Sequence, residues 1–229
     1  MRVASLVLSV AAGLLAPALG QDPAGGPDHP WASWKPGAKV TLQNKNKKGI
    51  VLLTTIWTLS EVQPDAVVLS EELAGKSTPR TLRRGEHLAC GDPRAERVGE
   101  EELTVGDRTY RCVVWRVVLE EGKREEKHWV APDAPCPLKV ESLITLGPVT
   151  AREELSARAI GEELEVAGRK LPCVRLEGTQ TQLESGSQVA ITRWLSAEVP
   201  GGLAREVRTK GGAPLAEQVV QAFSGERVR

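Results

Sequence analysis

Residues 113–130, VVWRVVLEEGKREEKHWV, carry the pattern that decides the fold class. Every second residue of a strand lies on the same face, and one face of the first half presents Val113, Trp115, Val117 and Leu119. Glu120-Glu121-Gly122-Lys123 then offers a hairpin turn, and residues 124–130 return as a second strand. Similar runs, bounded by turn residues, occur at 38–42, 50–59 and 66–69. This pattern predicts antiparallel sheet.

The rest of the chain also fits an all-β fold. Only Thr150 to Ala159 has a helical pattern, and that pattern is short. We predict one strongly curved antiparallel sheet, a half-barrel, with an internal two-copy meander repeat. An orthogonal β-sandwich is the alternative.

The internal repeat is the strongest feature of the sequence. The run LTVGDR at 103–108, followed by Cys112, matches LEVAGR at 164–169, followed by Cys173, 61 residues further on. Downstream, a second set of three residues matches at a spacing of 65: Trp129, Pro135 and Leu138 against Trp194, Pro200 and Leu203. One meander cannot bury its apolar face alone, so we expect the two copies to lie side by side in one sheet.

The chain divides into a leader and one β domain. Arg2 precedes an apolar run from Val3 to Ala16, and small residues follow, so we expect residues 1–20 to be a signal peptide. Residues 21–30, QDPAGGPDHP, are expected to be a flexible leader. Residues 31–229 then form a single β domain, with an N-terminal meander at 31–89, repeat 1 at 99–141 and repeat 2 at 161–209. We expect a periplasmic or extracellular protein, in which disulfides are permitted.

Composition limits the partners. Among 229 residues, 30 Lys and Arg balance 30 Asp and Glu. A nucleic-acid binder would have a basic excess, so we expect no nucleic-acid partner. After the leader no segment approaches about 18 consecutive apolar residues, so we expect no integral membrane span in the mature chain. We expect a monomer whose partner is a lipid, a glycan or an envelope protein.

Two segments carry a family resemblance. Residues 194–203, WLSAEVPGGL, have the form W-x-S/A-x-x-V-P-G-G-L, and residues 29–37 read HPWASWKPG. Both resemble a group of uncharacterised exported β-rich bacterial repeat proteins. The first repeat departs from the form, with Ala134-Pro135-Cys136-Pro137 where the glycines would stand. The layout is also distantly similar to half-barrel lipoprotein carriers, whose curved sheet shelters acyl chains. The resemblance implies an exported β protein and brings no established activity.

The four cysteines, at 90, 112, 136 and 173, form no CxxC motif. Cys112 and Cys173 occupy matching repeat positions, so at least two strand spacings of about 4.8 Å would separate them, beyond the limit of about 7 Å for a bridge. We expect both to be buried thiols. Cys90 and Cys136 are the disulfide candidate, and a bridge from Cys112 within the first repeat is the rival.

Catalytic and metal-binding patterns are missing from the sequence. His29, His87 and His128 have no metal-ligand spacing, so we expect no metal and no cofactor. No GxSxG elbow occurs. Paired glutamates such as Glu125-Glu126 and Glu153-Glu154 are interpreted as solvated charge, because adjacent strand residues point to opposite faces. We expect no catalytic residues and assign no enzymatic activity.

The six tryptophans are the remaining candidates for a binding surface. Trp57 and Trp115 lie on predicted strands and are the candidate ligand-binding residues. Trp129 and Trp194 recur with the same proline and leucine downstream, which is typical of core anchors. The structural residues are therefore Trp129, Trp194, Pro135, Pro200, Leu138 and Leu203.

These observations favour an exported non-catalytic binding or carrier module for a hydrophobic or cell-surface ligand. A structural or interaction protein of the cell envelope is the alternative. A hydrolase is the least favoured class, because no acid–base constellation is evident.

N-terminal sequencing of the exported protein checks the leader. We expect the mature chain to begin at Gln21, because the apolar run and the small residues before it fit signal-peptidase cleavage. Recovery of Met1 at the mature N-terminus would contradict the expectation.

Overall fold

The computed structural model describes residues 30–64, 66–83, 96–119 and 124–228, and within them every regular element is a β-strand. The strands are β1 Lys39–Asn46, β2 Val51–Val62, β3 Ala66–Leu73, β4 Lys76–Arg83, β5 Glu96–Val105, β6 Arg108–Leu119, β7 Arg124–Val130, β8 Lys139–Leu146, β9 Val149–Val166, β10 Arg169–Gln182, β11 Gln188–Leu195, β12 Leu203–Lys210 and β13 Ala213–Ser224.

All thirteen strands belong to one antiparallel sheet with the order β4-β3-β2-β1-β13-β12-β11-β10-β9-β8-β7-β6-β5. The chain meanders from β1 to β4 and again from β5 to β13, and the pairing of β1 with β13 joins the two meanders. The sheet curls without closing, with β4 and β5 at its edges. This confirms the predicted curved all-β sheet. The described residues do not divide into the two sheets of a sandwich.

The short helical pattern at Thr150 to Ala159 does not correspond to a helix, because these residues lie in β9. Burial alternates there with a period of two, with Glu153, Leu155 and Ala157 buried. Strands are identified from sequence by alternating apolar residues. Because Glu153 is charged although it is buried, that alternation is not visible at the start of this segment.

The two ends of the sheet differ. Successive strands of a meander reverse direction, so the turns β1–β2, β3–β4, β8–β9, β10–β11 and β12–β13 all lie at one end, here called the hairpin end. The opposite end carries the loop of residues 196–202, against which Trp31 packs. A Cβ at Gly201 would lie 2.8 Å from the Trp31 indole nitrogen, so only glycine permits this contact. The buried Trp31 therefore covers this end.

Two clusters of buried residues make the core. One gathers the N-terminal segment and the tip of the β9–β10 hairpin, with Trp31, Trp34, Val40, Leu69, Leu171, Cys173 and Ala204 among its members. The other centres on the middle strands and includes Cys112, Trp129, Leu138, Leu155, Leu176 and Leu195.

The two segments predicted as repeats make the same contacts around their tryptophans. The indole N–H of Trp129 donates to Glu101, and that of Trp194 donates to Glu162 at 3.1 Å. A cation covers each ring, Lys139 at 4.1 Å from one ring centre and Arg205 at 5.4 Å from the other. Each glutamate directly faces the cysteine of its own hairpin, Cys112 or Cys173.

Gly178 on β10 permits a close approach of β10 to β9. A Cβ there would lie 1.7 Å from the backbone oxygen of Glu154 on β9, and backbone cannot move aside as a side chain can. The close crossing of β9 and β10 therefore requires glycine at this position.

We predict that Gly178→Ala destabilises the fold by about 3 kcal/mol or more, since the methyl group overpacks a fixed backbone contact. Gly99 is the matched control, because it also lies in a strand and an added Cβ would meet nothing within 4 Å. Gly99→Ala should change the free energy of unfolding by less than about 1 kcal/mol. Urea unfolding of the two variants checks this, and equal midpoints would contradict it.

Candidate functional site

A cavity of about 420 Å³ lies within the curl of the sheet. Strands β1–β3 and β7–β13 all contribute to its lining, and Trp31, Pro200 and Gly201 line it at the end opposite the hairpins. The lining has an apolar part that includes Val40, Leu42, Trp57, Leu69, Val140, Leu195 and Leu203. The remaining lining residues are mostly polar or charged.

The polar part consists of two paired rows, here together called the polar belt: Glu126, Ser142, Glu153 and Gln180 on β7 to β10, and Arg193, Glu206 and Gln218 on β11 to β13. Directly paired residues on neighbouring strands project to the same face. Glu126 pairs with Ser142, Ser142 with Glu153, and Glu153 with Gln180. On the following strands, Arg193 pairs with Glu206 and Glu206 with Gln218. The belt therefore crosses seven neighbouring strands, β7 to β13.

Arg193 joins the two halves of the belt. Its Nη2 donates to Glu153 Oε1 at 3.0 Å, and its Nε donates to Glu206 Oε2 at 2.7 Å. Arg208 Nε donates to the other oxygen of Glu206 at 2.7 Å, and Arg208 also donates to Gln180 at 3.2 Å. Because one cation would not neutralise two buried carboxylates, the second arginine completes the charge balance.

Electrostatic interactions favour the ionised forms of Glu206 and Arg193. Burial raises the pKa of Glu206, but the guanidinium groups of Arg193 and Arg208 outweigh burial and hold it below the ordinary value of 4.5. Burial lowers the pKa of Arg193, and the charges of Glu153 and Glu206 outweigh it and raise that pKa. Glu206 and Arg193 are therefore both charged at neutral pH.

A second group of titratable side chains lies at the β7 end of the belt. His128 Nε2 lies 2.8 Å from Glu126 Oε2, and both residues are at most 2% exposed. Burial raises the pKa of Glu126, while the hydrogen bond from His128 and the charge of Arg124 outweigh it and lower that pKa. His128 Nδ1 is buried and has no hydrogen-bond partner in the structure. A nitrogen in this state beside a cavity is a potential contact for a bound molecule.

The interpretation of the paired glutamates as solvated charge is wrong for Glu126 and Glu153, which are 2% and 6% exposed. Adjacent strand residues do point to opposite faces, but Glu126 and Glu153 lie on the inner face of the curled sheet. Arg124 on the same strand pairs with Glu126, and Arg193 on β11 pairs with Glu153, which makes the burial of the two carboxylates possible. The sequence contains one signal for the burial of Glu153: it lies on the same face of the strand as the apolar Leu155 and Ala157.

The two candidate ligand-binding tryptophans lie in different places. Trp57 is half-buried and lines the cavity. Trp115 directly faces His128 across the β6–β7 pairing, so it shares that face of the sheet, but it does not line the cavity. A ligand-binding role stays a prediction for both.

The candidate structural residues are unequally buried. Trp129 is 5% exposed and belongs to the same buried cluster as the fully buried Leu138. Trp194 and Leu203 are half-buried, Pro200 is buried and Pro135 is exposed. The anchoring role of Trp194 and Leu203 stays a prediction.

Three thiols are free in the described residues, those of Cys112, Cys136 and Cys173. Burial raises the pKa of Cys112 and of Cys173 to about 11, and that of Cys136 to about 12. β6 and β10 are four strand spacings apart in the sheet, which separates Cys112 from Cys173. Cys90 lies outside the described residues, so its bridge to Cys136 stays a prediction.

The described residues contain neither a metal-binding cluster nor a membrane-crossing helix. They contain no group of three or more His, Cys, Asp or Glu side chains placed to hold a metal ion. Across the same part of the chain, no helix is long and apolar enough to cross a membrane.

Solved structures similar to the chain include three bacterial proteins. A Bacteroides fragilis protein with a YmcC-like fold, described as exported, is 9% identical, with 83% of this chain and 96% of that chain covered and a TM-score of 0.44. A Parabacteroides distasonis protein described as a lipoprotein is 10% identical, with 83% and 96% covered and a TM-score of 0.45. The hypothetical lipoprotein YmcC from Escherichia coli is 13% identical, with 85% and 88% covered and a TM-score of 0.34.

Such scores and identities establish neither family membership nor function for this chain. No protein-family model matches the sequence, and no curated protein matches it.

Glu206→Gln is predicted to remove a pH-dependent part of the stability. The pKa of Glu206 is lowered by folding, so its contribution is complete above about pH 4.5 and is lost as the pH falls through the folded-state value. Loss of one partner from a buried ion pair costs about 3–5 kcal/mol. Urea unfolding should therefore show that deficit at pH 7 and a smaller one at low pH.

The exposed Glu163, 3.5 Å from Lys170, is the matched control. Glu163→Gln should change the free energy of unfolding by less than about 1 kcal/mol at pH 7. An equal effect of the two substitutions at that pH would contradict the assignment of the belt as a buried network.

Proposed function

We propose that the chain is an exported, non-catalytic binding or carrier module that holds one amphipathic molecule in the cavity. The observation that carries the proposal is the division of a single cavity of about 420 Å³ into an apolar part and a polar belt. Binding sites for small molecules are typically apolar clefts with a few converging polar groups.

The lining indicates the chemistry of the ligand. Arg124, Arg193 and Arg208 balance Glu126, Glu153 and Glu206, so the charged side chains other than His128 sum to zero. A cavity with no net charge favours a polar part that is uncharged or zwitterionic over a singly charged one. Trp57 and the aliphatic lining offer a surface to an acyl chain or the apolar face of a sugar. A lipid or glycolipid with an uncharged or zwitterionic headgroup combines that polar headgroup with an apolar acyl chain.

The matched contacts of the two hairpins support an internal repeat, which we propose as the scaffold of the site. In both copies an indole N–H bonds a glutamate of the preceding hairpin and a cation covers the ring. Each copy also has an ion pair between residues at equivalent positions of the repeat. Arg108 pairs with Asp133 in the first copy, and Arg169 pairs with Glu198 in the second.

A hydrolase is the one alternative that a specific observation favours. Glu126 and His128 converge in the cavity, and Ser142 directly faces Glu126. However, no hydrogen bond joins Ser142 to His128, and the other carboxylates in the belt are paired with arginines. Ester or glycoside hydrolysis that is abolished by His128→Asn would favour this alternative. An envelope protein acting through its surface would leave the cavity empty.

A cavity-filling substitution tests the proposal. Leu42 is half-buried and lines the cavity, so Leu42→Trp should fill part of it and exclude the ligand. Leu143→Trp is the control, because Leu143 is 37% exposed and outside the cavity lining. Native mass spectrometry should find a co-purified molecule on the parent and on the control, and at least about tenfold less on Leu42→Trp.

The neutral fluorescent probe N-phenyl-1-naphthylamine supplies a second readout on ligand-free protein. The probe should bind to the parent and to Leu143→Trp, and at least about tenfold less to Leu42→Trp. A parent that neither carries a molecule nor binds the probe, or a Leu42→Trp variant that behaves as the parent does, would contradict the proposal.

A further inference from the structure

The β1–β2 hairpin projects four consecutive aliphatic side chains into solvent. Ile50, Val51, Leu52 and Leu53 are 56%, 43%, 67% and 40% exposed. In a strand that has a neighbour on both sides, alternate residues are covered, so exposure of all four means that this hairpin stands clear of the sheet. The pairing explains this exposure, because β3 ends at Leu73 opposite Thr55, and no described residue pairs with residues 51–54 on that side.

The turn that presents these side chains is ordered by its own hydrogen bonds. Asn46 Oδ1 accepts from the backbone N–H of Lys48 at 2.9 Å and of Ile50 at 3.1 Å. The Asn46 N–H donates to the carbonyl of Ile50 at 3.0 Å. The apolar tip is therefore held in one conformation before it meets a partner, which lowers the entropic cost of binding.

Basic residues surround the tip. Lys45, Lys47 and Lys48 precede it, and residues 44–54 contain no Asp or Glu. Lys45 lies 3.9 Å from Glu217, while Lys47 and Lys48 form no ion pair with any described residue. The tip therefore places exposed aliphatic side chains next to the ammonium groups of Lys47 and Lys48, which are unpaired among the described residues.

Other exposed aliphatic residues lie at the same end. Beside the remaining turns of the hairpin end are Leu73, Val149, Leu183 and Leu215, each 38% to 48% exposed. The opposite end is covered by Trp31 instead. The hairpin end is therefore an apolar rim, from which the β1–β2 tip projects.

We propose that the hairpin end docks on a lipid bilayer with an anionic surface, with the β1–β2 tip inserted among the acyl chains and Lys47 and Lys48 at the headgroups. Protein interfaces are enriched in aromatic residues and arginine and are depleted in lysine. Aliphatic side chains beside lysines are instead the composition of segments that bind a membrane surface. The docking does not depend on what the cavity holds.

Vesicle co-sedimentation of the exported chain tests the proposal. Vesicles of phosphatidylcholine with about 30% phosphatidylglycerol should bind the parent, and salt at about 0.5 M should weaken the binding by screening the lysines. The double variant Ile50→Ser with Leu52→Ser should bind at least about tenfold less, since two apolar side chains no longer leave water. The double variant Lys47→Gln with Lys48→Gln should bind less and lose most of its salt dependence.

Val228→Ser is the matched control, because Val228 is 57% exposed and its backbone bonds to Ser33, away from the hairpin end. It should bind vesicles as the parent does. All variants carry the same N-terminal residues, so differences among them arise from the substituted positions. Unchanged urea midpoints will show that each variant is folded.

Three results would overturn the proposal. The parent could fail to bind anionic vesicles, the Ile50 and Leu52 double variant could bind them as the parent does, or Val228→Ser could lose as much binding as that variant. Capture of a protein through Leu52, with no vesicle binding, would assign the tip to a protein partner instead.

Discussion

The ion pairs of the half-buried Arg193 with the buried Glu153 and Glu206 are the constraint on which the interior of this protein depends. A charge removed from water costs several kcal/mol unless it is paired and hydrogen-bonded. Here one guanidinium meets carboxylates from β9 and β12, at 3.0 and 2.7 Å, and so ties three strands together across the inner face. Apolar side chains in the same places would pack against one another. The polar belt instead lines an open space, which is the cavity.

The fold places this belt between two unlike ends. Trp31 packs on Gly201 at one end, where a larger residue would not fit. At the other end the hairpins present aliphatic side chains and lysines. Gln180 lies two residues from the hairpin end of β10, whereas Arg193 lies two residues from the opposite end of β11, so the belt runs obliquely between the two ends.

The fold class can be predicted from the local sequence pattern, but the residues that line the cavity cannot. Alternation at 113–130 depends only on the period of a strand, and β6 and β7 confirm it, although residues 120–123 of the turn lie outside the described residues. Which face of a strand becomes the interior depends on register and curl, which are long-range. Glu126 and Glu153 therefore look like solvated charge in the sequence. For the same reason Trp57 and Trp115 look equivalent there, although Trp57 lines the cavity and Trp115 does not.

The central claim is that the polar belt serves a ligand rather than stability, and replacing its core tests it most directly. In the quadruple variant Arg193→Met, Arg208→Met, Glu153→Leu, Glu206→Leu, the two arginines and the two carboxylates that pair with them are removed together, so no charge of this network is left without its partner. Such replacements are often neutral or stabilising by about 1–4 kcal/mol. Urea unfolding beside native mass spectrometry should show a folded protein, at least as stable as the parent, that has lost its co-purified molecule. A variant that does not fold, or that folds and still carries the molecule, would contradict the claim.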